Sequence, residues 1–230
     1  NKAETVDWNQ DWNDFCWTDK ELKTAIKWLD LQKESFELDE PDFDQVDPDR
    51  LNQKQRLCYD MVTQWVTNKK QNPSTTKPFY LNLCGRAGCG KSFWLKAVSK
   101  FIKNICPDKP NFQMTAAPTG TAAFQINGTT LHSLLRLPIQ KSPGKDIPDL
   151  DPDSLKMLQM QFKDTELLTI DEKSMVGLDM LTMINKRLKE VKPHTADQMF
   201  GGISIIIMGD FAQLPPVADK PMFAKKNLSE

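Results

Sequence analysis

The stretch Gly85-Arg-Ala-Gly-Cys-Gly-Lys-Ser92 matches the pattern G-x-x-x-x-G-K-S at every fixed position. An apolar run over 79–84 precedes it and predicts a buried strand. After it, apolar residues recur at spacings of three and four, as one face of a helix requires: Leu95, Val98, Ile102 and Ile105. A strand, a glycine-rich loop and a helix in this order are the setting of a phosphate-binding loop. A glycine-rich turn with a chance lysine is therefore the weaker interpretation.

The composition of this loop suits a nucleoside triphosphate. Gly85, Gly88 and Gly90 allow backbone torsions closed to other residues, so successive N–H groups can converge on phosphate oxygens. The start of the following helix adds a partial positive charge. Lys91 is expected to reach the β- and γ-phosphates, and Ser92 to hold Mg²⁺. The predicted phosphate-binding residues are Gly85, Ala87, Gly88, Cys89, Gly90, Lys91 and Ser92.

Strand and helix patterns alternate along the rest of the chain. Strands are predicted at 79–84, 112–117, 167–170 and 203–208. Helices are predicted at 51–66, 155–162 and 181–191, with a polar loop at 68–77. This alternation predicts an α/β fold with a mainly parallel sheet flanked by helices on both faces. The residues with distinctive chemistry follow strands, where ligands bind in such sheets.

The ends of the last two predicted strands carry the other candidate catalytic groups. The pair Asp171-Glu172 directly follows an all-apolar strand. Asp171 is expected to hold Mg²⁺, usually through water, and Glu172 to orient or deprotonate an attacking water. Gln213 follows the fourth strand and is placed to sense the γ-phosphate. The base-reading motif Asn/Thr-Lys-x-Asp of GTPases does not occur in the sequence.

Charge divides the chain near residue 50. Residues 1–50 carry 15 acidic and 6 basic side chains, whereas residues 51–230 carry 24 basic and 16 acidic ones. A basic body suits a polyanionic partner. The acidic, aromatic extension 1–50 contains a capping box at 18–21, a predicted helix and a Pro-interrupted linker over 30–49. The extension is interpreted either as an arm that touches the rest of the protein or as a solvated tether.

Composition also bears on the compartment. No run approaches the ~18 apolar residues of a membrane span and no signal peptide is visible, so no membrane partner is expected. The five cysteines are scattered without a C-x-x-C pair, which indicates free thiols in a reducing compartment inside the cell.

Five further motifs, in a fixed order, carry a resemblance to a known family. They are Leu51-Asn-x-x-Gln55, Ala117-Pro-Thr-Gly-Thr-Ala-Ala123, Gly128-Thr-Thr-Leu-His-Ser133, Ile170-Asp-Glu-x-Ser-Met175 and Gly209-Asp-Phe-x-Gln-Leu-Pro-Pro216. Together they resemble the Pif-type (petite integration frequency) DNA helicases of superfamily one, group B, which also contains the RecD-like helicases. The resemblance covers roughly 51–217.

This resemblance implies a P-loop NTPase domain of the RecA-like type and an ATP-driven motor that moves 5′ to 3′ on single-stranded DNA. ATP and Mg²⁺ would be the cofactors, and Gln55 would hydrogen-bond the adenine edge. The catalytic residues would be Lys91, Asp171, Glu172 and Gln213, the last coupling the γ-phosphate to movement. A helicase of this kind would act as a monomer on single-stranded DNA and on its junctions with duplex DNA. Its setting would be DNA repair, recombination or telomere maintenance, in the nucleus or in another compartment such as the mitochondrion.

Two of the motifs match the segments that touch the DNA backbone in this family. The implied DNA-binding residues are Pro118, Thr119, Gly120, Thr121, Phe124, Gly128, Thr130, His132 and Ser133. Their hydroxyl and N–H groups suit phosphate contacts, and Phe124 and His132 suit stacking on bases. The alternatives are a core position for Phe124 and a hydrogen bond within a turn for His132. The acidic extension would compete with DNA for this face, or would pack its aromatic residues elsewhere.

Departures from the family pattern qualify these expectations. Residues 51–230 match the first RecA-like motor domain, and 136–165 lie where the family inserts a small strand-separating element. Lys173 stands where the family usually has an apolar residue, and it is expected near DNA or Mg²⁺, or else pointing outward. The second RecA-like domain with its arginine fingers lies outside the sequence, so the fragment alone should be a weak ATPase. Another P-loop ATPase, or a nucleic-acid-binding module without catalysis, are the competing interpretations.

Overall fold

The computed structural model describes residues 46–138 and 148–224. Five parallel strands in these ranges form one sheet with the order β1-β5-β4-β2-β3. The strands are β1 (Tyr80–Cys84), β2 (Gln113–Ala117), β3 (Thr129–Thr130), β4 (Leu167–Ile170) and β5 (Ser204–Gly209). The α-helices are α1 (Gln53–Gln71), α2 (Lys91–Ile105), α3 (Gly120–Gln125), α4 (Leu131–Leu135), α5 (Pro152–Gln161) and α6 (Leu178–Val191). Four 3₁₀ turns lie at Pro48–Arg50, Lys173–Met175, Pro193–Thr195 and Met199–Gly202.

The predicted α/β fold with a parallel sheet is confirmed, and the strand register explains where the site lies. Cys84 at the end of β1 pairs with Gly209 at the end of β5. Ile170 at the end of β4 pairs with Ile207 of β5 on one side and with Ala116 of β2 on the other. Because all strands run in the same direction, the segments that follow β1, β4, β5 and β2 meet at one edge of the sheet.

Two apolar layers, one on each face, hold the sheet between the helices. One layer joins α1 and α2 to the sheet, with Val62, Trp94 and Val98 almost completely buried. The other joins α4, α5 and α6 to the opposite face, with Leu158 and Ile184 fully buried. Burial of one such aliphatic side chain contributes about 1.5–3 kcal/mol. All four residues of β4 are buried, as expected for a central parallel strand covered on both faces.

Helix α1 begins with a capping box and runs further than predicted. The Asn52 side chain accepts the Gln55 N–H and the Gln55 side chain accepts the Asn52 N–H, which satisfies two helix-terminal donors. The predicted polar loop from residue 68 was wrong by about a turn, since the helix continues to Gln71. Two lysines in the last turn favour this extension through the helix dipole, and Lys69 also pairs with Glu166 at 3.3 Å.

Two predicted segments lie largely outside the described residues. These are the acidic extension, of which the described chain begins at Val46, and the central part of the predicted insertion, 139–147. The stems of the insertion are described, and Arg136 bridges them by donating from Nη1 to the Ser154 carbonyl at 3.1 Å. Within the described ranges, no helix is long and apolar enough to cross a membrane.

Candidate nucleotide and nucleic-acid site

The phosphate loop links β1 to α2, and its glycines serve two different purposes. Gly88 and Gly90 have φ values of 74° and 83°, in the left-handed region that favours glycine. The same torsional role was predicted for Gly85, but that residue does not have a positive φ. Instead, a Cβ atom at Gly85 would lie 2.5 Å from the Cys89 sulfur. Gly85 is therefore needed for the close approach of the loop to itself.

Lys91 is the first residue of α2, and its ammonium lies inside the loop. Its Nζ donates to the carbonyl oxygens of Gly85 at 2.8 Å and Arg86 at 3.0 Å. Ser92, the next residue, is exposed at the N-terminal end of the helix. The positive end of the helix dipole and one ammonium thus lie in the same small region, which suits a polyphosphate.

Gln55 ties helix α1 to the phosphate loop. Its Nε2 donates to the Cys89 carbonyl at 2.9 Å, while its Oε1 serves the α1 capping box. Its backbone carbonyl accepts from the buried indole of Trp94 at 3.1 Å. A side-chain amide has two N–H donors and two acceptor lone pairs. Nε2 also lies 3.4 Å from the Gly90 carbonyl, so both of its N–H groups have partners in the loop. Oε1 keeps one lone pair, and the predicted adenine contact would have to replace the longer of the two Nε2 bonds.

Asp171 ends β4 and is partly withdrawn from solvent. Its Oδ1 accepts the Glu172 N–H at 2.8 Å. Burial raises the pKa of the Asp171 carboxyl above its usual value, outweighing this hydrogen bond and the attraction of Lys91, which lower the pKa. The influence of Lys91 on this carboxyl places the two predicted catalytic groups within electrostatic range of each other. A carboxylate held in this way suits Mg²⁺, which prefers oxygen ligands.

The raised pKa of Asp171 predicts a gain in stability when its charge is removed. The pKa of this carboxyl is higher in the folded than in the unfolded protein, so the folded protein binds its proton more tightly. The free energy of unfolding therefore falls as the pH rises from the unfolded-state pKa through the folded-state pKa. We expect Asp171→Asn to unfold at a higher urea concentration than the wild type at neutral pH. The difference in urea midpoint between the variant and the wild type should vanish at a pH below the usual pKa of an aspartic acid, because both side chains are then neutral. Equilibrium urea unfolding of this chain across pH measures it, with Asp153→Asn on exposed α5 as the control. A variant that is less stable at neutral pH would contradict the expectation.

Glu172 adopts a left-handed backbone conformation, with φ 54° and ψ 47°. Such conformations are uncommon for a residue with a side chain and concentrate at functional sites. One of its carboxylate oxygens, Oε2, accepts from the Thr119 hydroxyl at 3.0 Å. Glu172 therefore contacts the end of β2, the strand that borders β4 on the side away from β1.

Gln213 lies in the segment that leaves β5. Its backbone N–H closes a turn onto the Asp210 carbonyl at 3.2 Å, and its side chain is exposed. The segment is fixed further along by Asp219, whose carboxylate accepts N–H groups from Asp179 at 3.1 Å and Met180 at 3.0 Å in the first turn of α6. This cap ties the segment that follows Gln213 to the start of α6, and the γ-phosphate role of Gln213 stays a prediction.

The two segments predicted to bind DNA lie at neighbouring strands: the first follows β2, and the second contains β3. Both threonines that open short helices act as caps: Thr119 accepts the Ala122 N–H at 3.3 Å, and Thr130 accepts the Ser133 N–H at 3.2 Å. The Thr130 hydroxyl also donates to the Ser133 hydroxyl at 2.9 Å. The hydroxyl groups of Thr119, Thr130 and Ser133 thus have internal partners, which a phosphate would have to replace.

The remaining predicted DNA-binding residues differ in their surroundings. Phe124 is 56% exposed, so its alternative assignment to the core was wrong. Thr121 and Ser133 are exposed, and Pro118 and His132 are half-buried.

The two glycines of these segments differ in their packing. Gly120 is the first residue of α3. Gly128 lies so close to β2 that a Cβ atom there would be 2.5 Å from the Thr115 carbonyl oxygen. Packing explains Gly128 without DNA; for the other residues the DNA roles stay predictions.

A family model described as PIF1-like helicase matches residues 50–229. The chain belongs to the PIF1-like helicase family. The ATP-dependent DNA helicase PIF1 of Emericella nidulans is 30% identical over 218 residues, which are 94% of this chain and 27% of that protein. The resemblance noted in the motifs is therefore confirmed.

Solved PIF1-like helicases show the same fold. The crystal structure of the Pif1 helicase from Candida albicans matches with a TM-score of 0.50 and 30% identity over 73% of this chain and 34% of that chain. A Pif1 helicase from Bacteroides, in complex with ADP-AlF₃ and ssDNA, matches with a TM-score of 0.50 and 33% identity over 69% of this chain and 33% of that chain. The chain thus spans about a third or less of the length of each of these relatives.

Lys173, which was expected near DNA or Mg²⁺ or else pointing outward, does not point outward. Its side chain is 0% exposed. Its Nζ donates to Asn82 Oδ1 at 2.7 Å, lies 2.7 Å from the Cys84 sulfur and stands 4.4 Å from the centre of the Phe211 ring. Lys173 thus connects the ends of β1, β4 and β5 beneath the site.

Sequence reasoning identified Lys173 but missed the residues that hold it. Asn82 and Cys84 alternate with Leu81 and Leu83 along β1, and this period of two was the available signal that one face of the strand is polar. Asp219 was also missed, because nothing in its local sequence indicates that it caps a helix 40 residues earlier in the chain.

Proposed function

We propose that this chain is the ATP-binding first motor domain of a DNA helicase that couples ATP hydrolysis to 5′-to-3′ movement on single-stranded DNA and to duplex unwinding. The observation that carries the proposal is the convergence of Lys91 with the Asp171-Glu172 pair at one sheet edge, with Lys91 in electrostatic range of the Asp171 carboxyl. A phosphate loop and a carboxylate pair so placed form the machinery of phosphoryl transfer.

Each group at this edge has a definite task in the proposed reaction. The loop N–H groups and Lys91 bind the phosphates, and Ser92 with Asp171 provides oxygen ligands for Mg²⁺. When bound, Mg²⁺ neutralises charge that develops on the phosphate oxygens. Glu172 orients the attacking water and accepts its proton, and Gln213 senses the γ-phosphate from the end of β5.

Similarity to solved relatives supports the substrate and partner in this proposal. ADP-AlF₃ resembles a phosphoryl group in transfer, and the Bacteroides relative holds it together with ssDNA. Another relative was solved as two coordinating Pif1 helicases acting on forked dsDNA. By this analogy we assign single-stranded DNA and its junctions with duplex to the β2–α3 and β3–α4 segments. A second RecA-like domain of the same protein would complete the nucleotide site with arginine residues. Roles in repair, recombination or telomere maintenance stay predictions.

ATP turnover with and without single-stranded DNA tests the proposal. In the full-length protein, turnover is expected to be slow alone and to rise when an oligonucleotide is added. A small-molecule kinase would instead transfer phosphate to an added acceptor and would be indifferent to DNA. A module without catalysis would bind DNA with no turnover in either condition. Either of these two results would overturn the proposal.

The proposed adenine contact predicts a preference for ATP over GTP that depends on Gln55. A side-chain amide matches the N6 donor and N7 acceptor of adenine, whereas guanine presents O6 in place of that donor. Gln55→Ala is expected to reduce the ratio of kcat/KM for ATP to that for GTP in the full-length protein. Loss of one such hydrogen-bonded contact to the base costs about 1–3 kcal/mol, which corresponds to a roughly 5- to 150-fold fall in this ratio.

The matched control for this variant is Asn52→Ala. That substitution removes the other half of the capping box and should lower the free energy of unfolding by ~1 kcal/mol, yet it leaves the Gln55 amide in place. Its ATP preference should equal that of the wild type. Equal use of ATP and GTP by the wild type would remove the adenine role from Gln55.

A further inference from the structure

Thr119 joins two parts of the site that were assigned to different tasks. It lies in the segment predicted to touch the DNA backbone, after β2. Its hydroxyl donates to Oε2 of Glu172, the predicted base of ATP hydrolysis, at 3.0 Å. Both residues are half-buried, so this bond is only partly accessible to competing water. The bond is a direct path between the DNA face and the nucleotide site.

The strand order determines the effect of this bond on Glu172. Strand β4, which ends at the carboxylate pair, lies between β5 and β2, and β1 with the phosphate loop lies beyond β5. Thr119 therefore holds the Glu172 carboxylate toward β2, on the side of β4 away from the phosphate loop. The left-handed backbone of Glu172 and its N–H bond to Asp171 leave the side chain as the freest part of the residue.

The Thr119 hydroxyl has a single proton, and this limits it to one strong acceptor at a time. Its oxygen already accepts the Ala122 N–H at the start of α3, so its proton is the part available for exchange. A DNA phosphate is an anion of the same hydrogen-bonding type as a carboxylate. If the phosphate takes this proton, Glu172 loses its partner on the β2 side.

We propose that Thr119 is a positioning residue that holds Glu172 away from the γ-phosphate and releases it when single-stranded DNA takes the Thr119 proton. The inference rests on the proposed function and names the regulation of the same site. It accounts for the DNA-stimulated hydrolysis expected under the proposed function without a change in the nucleotide contacts themselves. No covalent step is involved, since one hydrogen bond is exchanged for another.

The test compares ATP turnover without DNA and with saturating single-stranded DNA in the full-length protein. Thr119→Val removes the donor, and we expect turnover without DNA to rise about 10-fold. One hydrogen bond to a charged group shifts the balance between the held and the released position of Glu172 by about this factor. The stimulation by DNA should shrink by a similar factor. Thr119→Ser restores the hydroxyl and should return both values toward the wild type. Thr182→Val, an exposed position of α6, should leave both unchanged.

A second variant guards against loss of the α3 cap. Thr119→Gly has no side-chain donor, and glycine is tolerated at an N-cap far better than valine. It should also raise turnover without DNA, and thermal unfolding with nucleotide affinity checks that both variants are folded. Folded valine and glycine variants with unchanged or lower turnover in the absence of DNA would overturn the inference.

Glu172→Gln separates failure of this inference from failure of the proposed function. In the double variant Thr119→Val/Glu172→Gln, the rise in turnover without DNA should disappear, because Thr119 acts through Glu172. If Glu172→Gln alone keeps normal turnover, the proposed catalytic base is wrong, and the role of Thr119 falls with it. If Glu172→Gln stops turnover and Thr119→Val changes nothing, the proposed function stands and only the Thr119 inference is overturned.

Discussion

Replacing Lys91 with alanine is expected to lower ATP turnover of the full-length protein by at least about 10²-fold, the effect of deleting one preorganised donor from a developing charge. Lys91 supplies the ammonium that lies inside the phosphate loop, within 3.0 Å of the carbonyls of Gly85 and Arg86. The fold should be retained, because the core beneath the loop is formed by Trp94, Val98 and their neighbours. Steady-state turnover and thermal unfolding measure the two effects.

The control for this variant is Lys96→Ala, on the same helix but beyond the loop. It removes an equal charge from α2 and should leave turnover within about 2-fold of the wild type, as expected for a substitution away from the site. Near-normal turnover of a folded Lys91→Ala protein would show that the loop does not bind the transferred phosphate.

Glu172→Gln is expected to stop hydrolysis while ATP still binds. The amide keeps the shape of the side chain and can still accept the Thr119 proton, but it is not a base. Loss of general-base catalysis costs about 10²- to 10⁴-fold in kcat. Turnover and equilibrium binding of a fluorescent ATP analogue in the full-length protein separate the two steps.

Glu166→Gln is the matched control, at the opposite end of β4. Glu166 pairs with Lys69 at 3.3 Å and lies far from the carboxyl ends of the strands. The Glu166 and Lys69 side chains are only 25% and 13% exposed, so the substitution should cost more stability than loss of a surface pair, yet leave turnover of the folded protein intact. If Glu172→Gln and Glu166→Gln behaved alike, the assignment of the base to the end of β4 would be wrong.

Local patterns were sufficient to predict the parts of the site that depend on neighbouring residues. The phosphate loop and the strand before Asp171 are each defined within a few residues, where periodicity and backbone preference apply. The edge of the sheet at which the site lies was predictable as well, because parallel strands place their carboxyl ends together. The place of Lys91 and Asp171 at one edge follows from these two rules.

Contacts between distant residues were not predictable, because they depend on strand order. Thr119 and Glu172 lie 53 residues apart and meet only because β2 pairs with β4. Lys173 reaches Asn82 across β5, 91 residues away, so its burial is visible only in the assembled sheet. Gly85 is a further example of a role that the sequence does not reveal. Its place in the glycine-rich pattern suggested a special backbone torsion, but in the fold it allows the close approach of the Cys89 side chain.

Unwinding of labelled duplexes by the full-length protein tests the central claim most directly. One substrate carries a single-stranded 5′ tail, a second carries a 3′ tail, and each is incubated with ATP and Mg²⁺. We expect the 5′-tailed duplex to be separated, the 3′-tailed duplex to stay paired, and the Lys91→Ala protein to separate neither. Separation without ATP, equal separation by Lys91→Ala, or no separation of either duplex by a folded wild-type protein would contradict an ATP-driven DNA motor.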